Sequence, residues 1–256
     1  MLKGKVNKGV ILAAGDGDRL APLTLTCPKA LLPVNDEVPL IRYPLEALAA
    51  AGIREIAIVV GYLGDKVIEA LGDGSSFGVR LQYISNPDYL GGNAISVYKA
   101  RDWAQGNPVV VCMGDHLIGE RLIKRLLDRR TLGETLCIDY EPALHHQLAE
   151  ATKVAVDDAG CIKDIGKDLV HWDALDTGVF LVTESFFKAV HELVLKAVHE
   201  LVHRRGTNIE ITDAILHLIS QGHRFNTCNV SGCFWMDVDT EEDLNRARMW
   251  RRASCV

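Results

Sequence analysis

Three short apolar runs constrain this chain more than any other feature: "GVILAA" at 9–14, "EIAIVVG" at 55–61 and "NPVVVCMGD" at 107–115. They are apolar nearly throughout rather than at every second position, so each is read as a strand buried on both faces. Helical periodicity fills the intervals. "PLIRYPLEALAAAG" closes at Gly52, a second helix begins near Asp65, and "AISVYKARDWAQG" follows the alternating strand "VRLQYIS". Strands alternating with helices through about residue 130 imply βαβ units and a mainly parallel sheet. Right-handed crossovers then place ligands at the carboxyl ends of the strands, where the strand order reverses.

The second half changes character. "TKVAVDDAGCIKDIG" reads as a hairpin turning at Asp157–Gly160, "DALDTGVFLVT" as a strand, and "EITDAILHLISQG" as a helix ending at Gly222. "RFNTCNV" is a further strand. Thr240 followed by Asp243 marks the N-terminus of a last helix. No proline- or serine-rich linker interrupts the chain, so all 256 residues are read as one domain. The expected class is α/β, with a Rossmann-like, mixed but mostly parallel sheet flanked by helices.

Charge and composition exclude some partners. A net charge of −6 argues against broad nucleic-acid binding, and no apolar run reaches the length of about 18 residues that a membrane helix needs. The start "MLKGKVNKGV" lacks a signal-peptide core, and the seven cysteines contain no C-x-x-C. A reduced, cytoplasmic setting is the expectation.

One motif invites a metal reading. His199-Glu200-Leu201-Val202-His203 fits H-E-x-x-H, in which two histidines one turn apart hold zinc. The extended form of the motif wants a third histidine at 209, where this chain has Ile209. The string also arises by local duplication, since "KAVHELVL" (188–195) is followed directly by "KAVHELVH" (196–203). Apolar residues at 190, 193, 194, 197, 198, 201 and 202 form one stripe, so a lengthened amphipathic helix accounts for the pattern. Such a helix is also a possible homodimer contact.

The stronger chemical signal lies in "VILAAGDGDRLAPLTLTCPKALLPV". Gly15 and Gly17 frame a loop directly after the first strand, where glycine allows positive φ and close approach of amides to phosphate oxygens. Arg19 adds a fork of donors and Lys29 a second positive charge.

This segment resembles the signature of the sugar nucleotidyltransferases, the nucleoside-diphosphate-sugar pyrophosphorylase family. "VVVCMGDH", "LDTGVFLVT" and "FWMDVDTEEDL" continue the likeness in family order. "NPDYLGGNAISVYKARD", with its Asn93-x-x-Ser96 spacing, "ATKVAVDDAGCIKDIGKDL" and "DALDTGVF" are most similar to inositol-1-phosphate and phosphocholine cytidylyltransferases. Lys167 keeps the lysine of the hexose enzymes' glutamate-lysine-proline segment, while the glutamate and proline are absent.

The resemblance implies a reaction and a set of roles. A nucleoside triphosphate, CTP first, would condense with a small phosphorylated acceptor, an inositol-1-phosphate-like polyol phosphate or a sugar-1-phosphate, and release pyrophosphate. The first half, to about residue 130, would bind nucleotide, and 131–256 the acceptor. Leu12, Ala13, Ala14, Gly15, Asp16 and Gly17 would cradle the triphosphate, with Arg19 and Lys29 as catalytic cations. Gly91, Gly92 and Asn93 would lie against base or ribose. Asp115, with Asp237 or Asp239, would hold Mg²⁺, a hard ion suited to carboxylates. Lys167 would meet the acceptor phosphate and Asp176 an acceptor hydroxyl. The alternatives are a hexose-1-phosphate uridylyl-, guanylyl- or thymidylyltransferase and a catalytically silent binding module.

Overall fold

The computed structural model describes residues 6–129, 133–143, 148, 150–200 and 208–250. The chain runs β1 (Lys8–Ala13), α1 (Arg42–Ala50), β2 (Glu55–Val60), α2 (Gly64–Leu71), β3 (Arg80–Ser85), α3 (Asn93–Lys99), α4 (Arg101–Ala104) and β4 (Val109–Met113). It continues with β5 (His116–Ile118), α5 (Glu120–Leu127), β6 (Thr135–Asp139), β7 (Lys153–Val156), β8 (Ile162–Gly166) and β9 (Ala174–Val182). Last come α6 (Glu184–Glu200), α7 (Ile211–Ser220), β10 (Asn226–Asn229), β11 (Trp235–Asp237) and α8 (Glu241–Met249).

The main sheet has the order β10-β6-β9-β4-β1-β2-β3, with β7 and β8 extending from β9. The β1–β2, β1–β4, β2–β3 and β10–β6 pairs are parallel. β9 runs antiparallel to both β4 and β6, and so joins strands of the first half to strands of the second in one sheet. This is the mixed, mostly parallel α/β arrangement that the alternation of elements implies.

The continuous apolar runs have a direct physical cause. Ile11, Ile56, Ile58, Val110 and Cys112 face one side, packed with Leu45 and Leu48 of α1, Val67 of α2 and Leu122 of α5. Val10, Leu12, Val59, Val109 and Val111 face the other, packed with Val97 of α3, Phe186 and Phe187 of α6 and Ile215 of α7. With helices on both faces, these positions of β1, β2 and β4 are filled by apolar side chains.

A third apolar cluster sits apart and matters most for the site. Leu20, Leu32, Val34 and Leu40 from the long connection after β1 pack with Leu117 of β5, Met236 of β11, Val238 and Leu244 of α8. Burying one such side chain contributes about 1.5–3 kcal/mol. The cluster therefore ties three remote segments together beneath the carboxyl end of β1.

Several elements differ from the sequence reading. The helix expected over 94–106 divides at Ala100, where the amide bonds back to Val97 in a tight turn before α4. The β5–β11 ribbon has no signal of its own, because three-residue strands carry too short a pattern. In the duplicated helix, Val190 is buried and Leu193 and Val194 are packed against the core, as the stripe requires. The HELVH string lies outside the described residues, apart from the backbone of His199 and Glu200 at the end of α6.

Candidate active site

The site begins where β1 ends. Gly114 follows β4 and donates its amide to Leu12 O at 2.8 Å, and a Cβ there would lie 2.6 Å from that same oxygen. Only glycine lets the two strand ends approach so closely, and the next residue, Asp115, is thereby delivered beside the loop 14–17. Of the two loop glycines, Gly17 alone is left-handed (φ 65°), and a Cβ on it would meet Lys29 Cβ at 2.8 Å. Gly15 is not at positive φ and has open space next to its Cα, which corrects the paired role expected for the two. Among the described residues, the amides of Gly15, Asp16 and Gly17 donate to no protein acceptor. They form part of the wall of a cleft of about 230 Å³ that also involves Leu12, Ala13 and Lys29. Ala14 is buried next to them, and its carbonyl is taken by Tyr62 N.

A charge cluster closes that cleft. Lys29 Nζ lies 2.6 Å from Asp115 Oδ2 and 2.6 Å from Asp239 Oδ1. Arg19 Nη2 reaches Asp239 Oδ2 at 2.7 Å, with almost half of the arginine side chain exposed. His116 Nδ1 is 2.9 Å from Asp115 Oδ1 and 3.6 Å from Asp237 Oδ1. The β5–β11 pairing sets His116 directly across from Asp237, and Thr240, three residues further on, caps α8 through Asp243 N.

Burial and charge oppose each other throughout this cluster. Burial disfavours the Lys29 ammonium, yet Asp115, Asp239 and Asp237 overcome it and raise its pKa. Burial likewise resists charge on Asp115 and Asp239, but Lys29 holds both carboxyls below the usual range, with His116 assisting at Asp115. Burial would lower His116, but Asp237 and Asp115 push it up to about 9. Asp237 moves the other way: burial raises its pKa, and Asp115 and Asp239 add to the rise against His116. Its side chain keeps 41% of its surface open, while Oδ1 is enclosed without a hydrogen-bond partner among the described residues.

A larger cleft, of about 630 Å³, opens on the far side of the cluster and shares Arg19, Asp115 and Asp239 with the first. Lys167 and Asp176 line it, brought there by the β7–β8 hairpin and by β9. Lys153 Nζ donates to Lys167 O, so this lysine braces the turn after β8. Burial lifts the Asp176 carboxyl to about 6, against the Gly178 amide and His116. Neither cleft could be seen as such in the sequence, and His116 carried no role there. A histidine directly after the strand-end aspartate was the available signal.

Gly91, Gly92 and Asn93, expected against base or ribose, are braced within the protein by residues 209–211. Ile209 N donates to Gly91 O, Ala94 N donates to Ile209 O, and Ile211 N donates to Asn93 Oδ1. A Cβ on Gly92 would fall 2.2 Å from Ile209 O. The three residues form a backbone clamp on 209–211, although Asn93 also lines the larger cleft. Ser96 is buried and accepts from Asn86 Nδ2, so the Asn93-x-x-Ser96 spacing serves packing. Ile209, where a third zinc ligand was required, is itself buried in that clamp.

The cluster suits a divalent cation. Asp115, His116 and Asp237 present ligand atoms within 4.8 Å of one another, and the unpartnered Asp237 Oδ1 is an oxygen whose burial is otherwise uncompensated. Asp239 is the carboxylate occupied by both Arg19 and Lys29. That divides the two aspartates: Asp237 has an oxygen to offer, while Asp239 anchors the cations.

The family model for "Nucleotidyl transferase" matches residues 8–143. A "Bifunctional IPC transferase and DIPP synthase" from Aquifex aeolicus is 34% identical over 96% of this chain and 52% of its own length. A "Glucose-1-phosphate thymidylyltransferase" from Streptomyces griseus is 31% identical over 93% of this chain and 64% of its own length. This chain thus spans about half to under two thirds of these curated relatives. Among solved structures, the inositol-1-phosphate CTP transferase from T. maritima shares the fold, with a TM-score of 0.80 over 97% of this chain and 98% of that one, at 22% identity. From the strand–glycine-loop–cation arrangement and the matched residues together, the chain belongs to the nucleotidyl transferase family.

Proposed function

We propose that this chain transfers a nucleotidyl group from a nucleoside triphosphate to the phosphate of a small polyol or sugar phosphate, with CTP as the first nucleotide to test. The observation that carries the reading is the meeting of two clefts at one charge cluster, with the phosphate-facing loop on one side and Lys167 and Asp176 on the other. In the reaction an acceptor phosphate oxygen bonds to the α-phosphorus, the α–β bridge breaks, and pyrophosphate leaves with the bridging oxygen. The acceptor phosphate has a second pKa near 6, so it is already largely dianionic at neutral pH and needs no strong base. The task is to hold two repelling anions in line and neutralise the leaving group.

The residues divide that task. The free amides of Gly15, Asp16 and Gly17 accept phosphate oxygens, Arg19 turns to the β- and γ-phosphates, and Lys29 moves onto the α-phosphate. Lys167 takes the acceptor phosphate and Asp176 accepts from an acceptor hydroxyl. Asp115 and Asp237 would hold Mg²⁺, which when bound supplies positive charge to the phosphates. The resemblance to inositol-phosphate enzymes favours a polyol phosphate. The 31% identity to a glucose-1-phosphate thymidylyltransferase supports the second reading, a hexose-1-phosphate.

Pyrophosphate release tests the proposal. The protein is incubated with each of the common nucleoside triphosphates against inositol-1-phosphate, glucose-1-phosphate and phosphocholine, with Mg²⁺ present. Turnover with one pair fixes base and acceptor together. Nucleotide binding by calorimetry without turnover on any pair would instead favour a silent binding module.

A further inference from the structure

The residue after Asp115 is a histidine whose ring is unusually confined. His116 lies on β5 opposite Asp237 of β11, and its Nδ1 sits between the two carboxylates, 2.9 Å from Asp115 Oδ1 and 3.6 Å from Asp237 Oδ1. Those carboxylates come from segments about 120 residues apart in the chain and repel one another. Among the described residues, no group donates a hydrogen bond to Asp237 Oδ1.

The far edge of the ring is fixed by a missing side chain. A Cβ on Gly178 would lie 2.6 Å from His116 Nε2, 2.7 Å from its Cδ2 and 2.9 Å from Met113 Cγ. Gly178 is left-handed (φ 71°), and Asp176 Oδ1 accepts its amide at 2.7 Å. The notch on β9 therefore seats the imidazole against the acceptor cleft, while its opposite nitrogen reaches the acidic pair.

We infer that His116 is a positioning residue: seated in the Gly178 notch, it holds Asp115 and Asp237 at the separation a divalent cation requires, and does not itself bind the ion. The inference rests on the proposed nucleotidyl transfer for its purpose but is read through metal binding. Hydrogen-bond partners that orient carboxylate ligands matter about 10- to 100-fold in metal affinity. Asp115, Asp237, Gly178 and Met113, which define the ring position, all line the acceptor cleft. Acceptor geometry and metal geometry thus share one part.

The test uses the whole chain and Mn²⁺ alone as the probe, with binding followed by electron paramagnetic resonance. His116→Ala removes the donor. His116→Asn returns an amide nitrogen the same number of bonds from Cβ as Nδ1. Gly178→Ala leaves the histidine in place but fills its seat. The expected result is at least a tenfold loss of Mn²⁺ affinity in His116→Ala and in Gly178→Ala, with His116→Asn within about threefold of the unaltered protein. In turnover, His116→Ala should raise the metal concentration needed for half-maximal rate by a similar factor.

Equal Mn²⁺ affinity across all three variants would overturn the inference. So would a His116→Asn variant as weak as His116→Ala, which would make the imidazole a direct ligand. If Gly178→Ala fails to fold, the alanine–asparagine contrast at 116 decides alone. An unaltered protein that neither binds Mn²⁺ nor releases pyrophosphate would count against the proposed function instead.

Discussion

Two regions build one site by opposite means. The loop from Leu12 to Lys29 is contiguous in sequence, and its glycines, Arg19 and Lys29 meet through local turns. The acidic side is assembled from Asp115 and His116 of one segment and Asp237 and Asp239 of another, joined by a ribbon of three residues per strand. The first region shows that short-range sequence can bring a glycine loop and two cations together. The second shows that charge pairing and a small apolar cluster suffice to align distant segments when neither carries a strong pattern.

The largest effect should come from striking the junction of the two regions. Asp115→Ala is expected to lower kcat for pyrophosphate release by on the order of 10²–10³, corresponding to about 2.7–4 kcal/mol, as when one transition-state partner is lost. It also leaves Lys29 paired only with Asp239, so urea unfolding should show reduced stability. Arg19→Met, half-exposed and bound to one carboxylate, should act mainly on nucleotide KM. Equal kcat losses in both variants would erase the distinction between the assembled side and the local one.

Next in size is the clamp behind the cleft. Gly92→Ala places a methyl against Ile209 O at a left-handed position, and about 3 kcal/mol of stability should be lost. Chemical denaturation measures it. A neutral substitution would mean that residues 209–211 hold their place without the clamp.

Asp176 sharpens the contrast through pH. Its carboxyl is raised to about 6 from an unfolded value near 4, chiefly by burial. The folded state therefore holds this proton more tightly. Its stabilising share is complete below pH 4 and is lost as pH rises through 6. Asp176→Asn should accordingly stabilise the protein at pH 8 by about 1–2 kcal/mol and leave pH 4 little changed. A gain of the same size at both pH values would refute the burial argument. The smallest change expected is in Thr240→Ala, which removes the α8 cap for a cost of about 1 kcal/mol, visible as a few degrees in Tm.

Legibility in the sequence follows from chain distance. The β1, β2 and β4 runs, the α1 and α7 helices, the hairpin and the Thr240 cap are all local patterns, and the structure has them. Arg19 and Lys29 are legible as charges following the glycine loop, whereas Asp115 is singled out through the family resemblance. The ribbon, the antiparallel insertion of β9 and the bond between Asn93 and Ile211 depend on which remote segments meet. No short window holds that information. The approach of Gly92 to Ile209 is equally out of reach, because close approach to a ligand and to a remote backbone demand the same absence of a side chain. His116 was passed over for a related reason: its significance depends on Gly178, some sixty positions away.

The ribbon also imposes an order on biosynthesis. While the chain is being made, the parallel ladders of β1, β2, β3 and β4 are complete once residue 113 has been translated, whereas β4 gains β9, and the connection after β1 gains Leu117, Met236 and Leu244, only later. Asp115 then waits beside Lys29 until residues 235–239 have been translated and have folded back. A nascent polypeptide stalled before that stage would display the glycine loop, Lys29 and Asp115 but lack Asp237 and Asp239.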